Sequence, residues 1–370
     1  MNRRRILFAG ASSALTCRLG LAAPRSIGPH VVFLNPGESV ERGTGKQWQL
    51  VSRFMSVAAR DLGMRLEVLY AERDHMLMLR QAEQVANRTS TPDYVVIVNE
   101  KMAALEMLKI LERTTSQVLL IHNDLTDEQR QTAGHERQQI RNWIGTLTAD
   151  ASSAGYRLME YLCRDHQPEF PRVIGITGDP KTPVSMERAA GVEKWLSRMP
   201  HARLNQLAYS DWSFSDSYEK TLVLLARYPE TNVIWGANDS ITLAASRAAA
   251  VRQIRARIGG MGALPEALNR VMDGTLTAMM AGDYFIGAFA LVLLYDYHNG
   301  IDFSQHGGAR KKLNFLAVVK NDNAASYYES VFDKWQNLDF GIYSKFKNRT
   351  SGMYDFKLER LLGGAIGRMV

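Results

Sequence analysis

The sequence predicts an α/β protein built as two doubly wound, parallel-sheet lobes. Three observations carry that prediction. Short runs rich in Val, Ile and Leu recur along the chain, as strands buried on both faces should. Amphipathic helical patterns alternate with them. The runs are too many for one small sheet, and 370 residues is long for a single domain.

The N-terminal stretch reads as an address rather than as structure. Asn2-Arg3-Arg4-Arg5 is a positive start, Ile6 to Leu21 is mostly apolar and small, and Gly20-Leu21-Ala22 is a small-x-small cleavage pattern before Ala23. Residues 1–22 are therefore expected to be a signal peptide, with the mature protein in the periplasm. The paired arginines raise a twin-arginine export route, although Asn2 stands where Ser or Thr is usual. Cys17 lies between Thr16 and Arg18 and lacks the setting of a lipid-attachment site. Removing Arg3, Arg4, Arg5 and Arg18 lowers the net charge from +7 to +3, too mild to imply a nucleic-acid partner. Of the 2 cysteines only Cys163 would survive processing, so no intramolecular disulfide is expected.

Strands are predicted in order at 31–34, 66–70, 94–98, 118–121, 143–147, 173–177, 204–209, 233–235 and near 277–281. Between the first two, Val51, Phe54, Met55, Ala58 and Leu62 make one apolar helical stripe. Leu105, Leu108, Ile110 and Leu111 make another. Asn35-Pro36-Gly37, Thr91-Pro92-Asp93, Gly178-Asp179-Pro180 and Tyr228-Pro229-Glu230 are turn signals separating the two kinds of segment. The longest apolar run, Phe285 to Tyr295, is too short to span a bilayer and reads as a buried helix.

Ligands of such folds sit at the carboxyl ends of strands, so those positions hold the candidates. The first loop, Val40 to Trp48, fails as a phosphate loop because Val40 and Gln47 replace the required Gly and Ser/Thr. It fails as a dinucleotide fingerprint because Trp48 replaces the third glycine. Later strands end in His122-Asn123-Asp124, Ser210-Asp211-Trp212-Ser213, Ala237-Asn238-Asp239 and Gly282-Asp283-Tyr284, and Glu187-Arg188 follows the sixth. Asn and Asp offer paired donors and acceptors, Arg a fixed fork, and Trp a flat apolar face. Together they suit a small polyhydroxylated ring. The structural alternatives are that Asn and Asp cap helices, Asp239 before Ser240-Ile241-Thr242 above all, and that Arg188 pairs with Glu193. No Gly-x-Ser-x-Gly elbow, His-Glu-x-x-His pair or tight metal-ligand spacing is present, so no catalysis, cofactor or metal is expected. Cys163, late in a helix from 151 to 164, reads as a structural thiol.

Over about Val31 to Lys320 the chain resembles the type I periplasmic solute-binding proteins, the ribose- and galactose-binding family. The resemblance rests on Val31 to Gly37, Asp150 to Gly155, Arg188-Ala189-Ala190-Gly191, Tyr228-Pro229 with Ile234 to Asp239, and Pro265 to Leu268 with Asp273 to Leu276. It implies two lobes joined by three crossover strands and a ligand closed between them. The implied division is 29–138 plus 281–311 for the N-terminal lobe and 139–280 plus 312–332 for the C-terminal lobe, with 333–370 an extension. Within the family it looks closest to the branch of the autoinducer-2 receptor, through Asn123, Arg188, Asn238 and, loosely, Trp48. Met186, Met261 and Ala281 depart from ligand positions of the family. Those departures argue against plain ribose or galactose, and against autoinducer-2 itself. The implied ligand set is Asn35, Trp48, Asn123, Asp150, Arg188, Trp212, Asn238, Asp239 and Asp283. The expected protein is a monomer without enzymatic activity that captures a small sugar-like solute. It would partner the membrane permease of an ABC transporter or a membrane sensor. Its C-terminal aromatics, Tyr327, Phe332, Trp335, Phe340, Tyr343 and Tyr354 among them, either dock a partner or pack across a lobe.

Overall fold

The computed structural model describes residues 28–40, 42, 46–164 and 170–363. The expected signal peptide and Cys17 lie outside the described residues. The first lobe opens with β1 (His30–Asn35), α1 (Gln47–Leu62), β2 (Arg65–Tyr70), α2 (His75–Ala86), β3 (Tyr94–Val98), α3 (Ala104–Glu112), β4 (Gln117–Ile121), α4 (Asp127–Ala133) and β5 (Trp143–Ala149). The second holds α5 (Ala151–Cys163), β6 (Arg172–Thr177), α6 (Pro183–Leu196), β7 (Arg203–Tyr209), α7 (Phe214–Arg227), β8 (Val233–Gly236), α8 (Asp239–Val251), β9 (Arg257–Gly262), α9 (Pro265–Met272) and β10 (Ala278–Ala281). The chain returns to the first lobe for α10 (Ile286–His298) and β11 (Arg310–Leu313), then re-enters the second for β12 (Ala317–Lys320) and α11 (Asn321–Tyr328). Short helices α12 (Lys345–Asn348) and α13 (Leu358–Leu362) follow.

The first sheet has strand order β11-β5-β4-β3-β1-β2 and is parallel throughout. The second has order β12-β10-β9-β8-β6-β7, parallel except for its antiparallel β12 edge. Side chains alternate across the first sheet: Val31, Phe33, Val96 and Leu119 join one apolar cluster, while Val32, Leu34, Val95 and Leu120 join the other. Both faces are covered by helices, which is why the strands read as unbroken apolar runs. The Phe285–Tyr295 run forms the start of α10, buried between the first sheet and α1.

Crossings between lobes occur at Asp150, at 282–285 and at 314–316, and the chain passes back to the first lobe after α11, between 329 and 340. The expected boundaries at 138/139, 280/281 and 311/312 therefore shift. β5 pairs with β4 and β11 as far as Ala149, Ala281 still pairs in the second sheet, and Lys312 and Leu313 still pair with β5. The sequence also left β9 unassigned. Its Arg257-Ile258-Gly259-Gly260-Met261-Gly262 looks like a turn, yet the glycines are needed for close packing. A Cβ on Gly260 would fall 1.8 Å from Thr242 Oγ1 of α8.

The C-terminal extension packs against the body. Phe340 and Phe356 join Phe54, Phe285 and Phe289 in one aromatic cluster. The carboxylate of Asp296, wholly buried in α10, accepts from Ser344 Oγ at 2.5 Å, Lys345 N at 2.7 Å, Phe346 N at 3.2 Å and Tyr354 Oη at 2.8 Å. Leu358 of α13 lies against Gly282 at the second crossing. Of the two sequence alternatives, packing is the one these aromatics adopt.

Candidate functional site

Carboxyl ends of both sheets face one cleft, where small-molecule ligands of such folds sit. The first lobe contributes Gln47 and Trp48 from α1, Arg73 after β2, Glu100 after β3, and His122 and Asn123 after β4. The second contributes Thr182, Val184 and Arg188 around α6, Trp212 after β7, Asn238, Asp239 and Ser240 after β8, and Met261, Gly262 and Leu264 after β9. Asp283 enters from the second crossing.

Asp283 ties the lobes together. Its Oδ2 accepts from Arg188 Nη2 at 2.6 Å and lies 3.0 Å from His122 Nε2. Burial alone would raise its pKa, but the His122 imidazole and the Arg188 guanidinium hold the carboxyl well below the usual carboxylate range. Arg188 also donates Nη1 to Ala237 O at 2.7 Å, and not to Glu193. Its Nε is buried with no partner. The helix that carries Arg188 is pressed onto α5, because Gly191 lets the two backbones meet; a Cβ there would lie 2.0 Å from Ser152 O.

Two indoles reach the cleft, one from each lobe. Trp48 is held by Asn35, whose Nδ2 donates to Trp48 O at 3.0 Å and to Ser52 Oγ at 2.8 Å. Trp212 sits at φ 72° and rests on Gly178, where a Cβ would fall 2.0 Å from the indole. Left-handed backbone at non-glycine residues recurs around the cleft, at Arg73, Lys101, His122, Trp212 and Ala263. Such conformations persist where surrounding structure holds them, and they gather at ligand sites.

Seen by side chain, the sequence candidates divide. Trp48, Asn123, Arg188, Trp212, Asn238, Asp239 and Asp283 line the cleft. Asn35 and Asp150 do not. Asn35 Oδ1 accepts from Gly37 N at 2.7 Å, so its polar atoms are spent on the first turn. Asp150 caps α5, accepting from Ser153 N at 2.9 Å. The cap of α8 is Asn238, whose Oδ1 accepts from Ile241 N at 2.8 Å, rather than the expected Asp239. Asp239 instead accepts from Leu264 N at 2.8 Å, and burial pushes its pKa up to about 7. Asn123 is buried, and its amide nitrogen donates to no protein atom among the described residues. Residue reading missed Gln47, Arg73, Glu100 and His122 as lining groups. Their positions just after strands, or at the first helix start, were the available signal. Gln47 Nε2 is buried without a partner, and Arg73 pairs with Glu100 at 2.8 Å. Cys163 lies outside the cleft, its thiol pushed up to about 12 by burial, which keeps it unreactive. Among the described residues no His, Cys, Asp and Glu cluster is placed to hold a metal, and no helix is long and apolar enough to cross a membrane.

A periplasmic binding protein domain family matches residues 39–302. Among solved structures, the chain is similar to a periplasmic sugar-binding protein from Pseudomonas fluorescens, with 32% identity, 90% of this chain and 100% of that one covered, and a TM-score of 0.80. It shares its fold with a Caulobacter myo-inositol binding protein (20% identity, 83% and 97% covered, TM-score 0.65). It also does so with an ABC transporter solute binding protein from Actinobacillus succinogenes holding D-allose (16% identity, 81% and 100% covered, TM-score 0.70). No curated protein matches by sequence. With both lobes accounted for by that fold, and with the match running through nearly all of the residues that build the cleft, the chain belongs to the periplasmic binding protein family in its type I form.

Proposed function

We propose that this protein is the capture component of an ABC transporter and closes its two lobes on one small, uncharged, sugar-like solute without altering it. The observation that carries this reading is the convergence of polar and indole side chains from both lobes on one cleft, with Asn123 Nδ2 and Arg188 Nε still uncommitted. The two arginines inside are already matched, Arg73 with Glu100 and Arg188 with Asp283, so an anionic guest would find no unpaired cation. Hydroxyls accept from Asn123 and Arg188, while C–H faces pack on Trp48 and Trp212. Asp239, Asn238 and Asp283 shape the walls. The sugar-binding relative from Pseudomonas fluorescens and the inositol- and allose-bound neighbours support the same solute class.

Only the closed form satisfies contacts from both lobes, so binding draws a hinge equilibrium toward closure. The protein acts as a monomer in the periplasm after loss of residues 1–22, and it needs no cofactor. Asn123, Arg188, Asn238 and Trp48 line the same cleft, and they are the residues on which the chain resembles the autoinducer-2 receptor branch. That pairing supports a second reading, in which the closed form reports to a membrane sensor. Co-purification with a permease or with a sensor separates the two. Mass spectrometry of the small molecules released from protein purified out of the periplasm tests the solute class. A neutral polyol at about one per chain is expected, and an ionic or aromatic guest would overturn the proposal.

A further inference from the structure

The chain does not end with the two lobes, and the way it leaves them bears on how far they part. α11 is fixed to the second lobe, where Asn321 Nδ2 donates to Met272 O at 3.0 Å. The residues after it cross to α1 of the first lobe. Arg53 lies over the Trp335 ring at 5.4 Å, Arg60 Nη2 donates to Gln336 O at 3.1 Å, and Phe340 N donates to Asp61 Oδ2 at 3.1 Å. The extension then turns back to the hinge. Leu358, buried at the start of α13, rests against Gly282 of the second crossing, where a Cβ would fall 2.6 Å from Leu358 Cδ1. Tyr284 of the same crossing lies edge-on to Phe332, with ring centroids 6.1 Å apart, and its Oη is 2.5 Å from that of Tyr327 in α11. Beside Leu358, the exposed Glu359 carboxylate is in electrostatic reach of Arg157 of α5, whose Nη2 donates to Leu316 O of the third crossing at 2.5 Å.

No described residue from 329 to 363 lines the cleft, so the extension lies outside the hollow and across the hinge. The lobes meet at the cleft mouth: Lys101 of the first and Asp179 and Asp211 of the second line one hollow there, and Lys312 pairs with Glu187 at 3.0 Å. Every contact of the extension is made in that arrangement. Parting the lobes turns the crossings and drags Gly282 and Tyr284 across Leu358 and Phe332. Packed contacts of this kind do not stretch, so they either hold or break. Gly282 sits at φ 106°, a conformation that glycine adopts readily, so the crossing turns most easily there, under Leu358. Resting on the proposal that the lobes close on a guest, we infer that the extension is a strap that restrains opening, with Leu358 as its contact on the hinge. It keeps the guest-free lobes in a narrowed range and so lessens what the guest must supply to close them.

Double electron–electron resonance on the full chain tests this without any guest. Nitroxide labels at Met102→Cys and Met186→Cys, exposed sites beside the mouth with one on each lobe, read its width, and Cys163 is buried and unreactive. The protein is freed of small molecules by dialysis in denaturant and refolded. Leu358→Ala should raise the ratio of wide to narrow distances about tenfold or more, since truncating a buried leucine removes packing on that scale. Glu359→Arg, an exposed change that sets like charge beside Arg157, should move the ratio the same way and carries the test if Leu358→Ala does not fold. If the wild type and both variants open alike, the strap falls while closure on a guest stands. If the variants open less than the wild type, the extension props the lobes apart and the inference falls. If none of the three shows a wide population, the lobes do not move on this hinge, and the inference and the closure proposal fall together.

Discussion

Asp239 shows how one buried carboxyl couples the cleft to pH. Burial raises its folded-state pKa from 3.8 to about 7, although Leu264 N and Arg188 both favour the charged form. A raised carboxyl contributes stability that is fully present below the unfolded value and is lost as pH rises through the folded one. Asp239→Asn stays neutral and can still accept from Leu264 N. Its melting temperature relative to wild type should therefore climb between pH 4 and pH 7 and then level off; a difference that is flat across this range would contradict the assignment. Arg188→Ala removes a desolvated fork and leaves buried Asp283 with His122 as its one side-chain partner among the described residues. Guest affinity, read by calorimetry, should fall by about 2 to 3 kcal/mol, and an unchanged titration would take Arg188 out of the site. Residue type and strand-end position were enough to bring Asn123, Arg188 and Asp283 forward from sequence. They were not enough to tell a free amide from a spent one. Asn35 and Asn238 look identical to Asn123 in the sequence, yet backbone caps consume their oxygens.

At the scale of elements, the parallel strands were legible because burial on both faces writes unbroken Val, Ile and Leu runs, as in β1, β3 and β4. Two of the strands that escaped do not carry that mark. β11 is Arg310-Lys311-Lys312-Leu313, an edge strand with charged side chains, and β9 is rich in glycine because helices approach it closely. Gly260→Val is favourable for an isolated strand but collides with Thr242 and with Gly236 O. It should destabilise by about 3 kcal/mol or more, since overpacking forces backbone shifts. The midpoint of urea unfolding reads this, and a gain or no change would show that strand propensity outweighs packing.

For the molecule as a whole, two lobes followed from the number of strands, but the route of the extension did not. Its aromatic content favours a packed face over a docking surface, and the aromatic cluster with Phe54 and Phe289 and the bonds to Asp296 on α10 show where it packs. Asp296→Ala leaves the buried hydroxyls of Ser344 and Tyr354 and the backbone of 345–346 without their acceptor. A loss of about 3 kcal/mol is expected by chemical denaturation, and a loss under about 0.5 kcal/mol would mean that the aromatic cluster alone holds the extension. The extension also ties the lobes, running from α11 on the second to α1 and α10 on the first. The pair of Lys312 with Glu187 at 3.0 Å is half-exposed and contributes little, so it does not by itself hold the lobes shut. Small-angle X-ray scattering of the protein stripped of its guest and then reloaded tests closure on a guest most directly. A smaller radius of gyration on loading, abolished in Arg188→Ala, is the predicted result; saturating, tight binding with no change in radius would contradict a guest enclosed by two moving lobes.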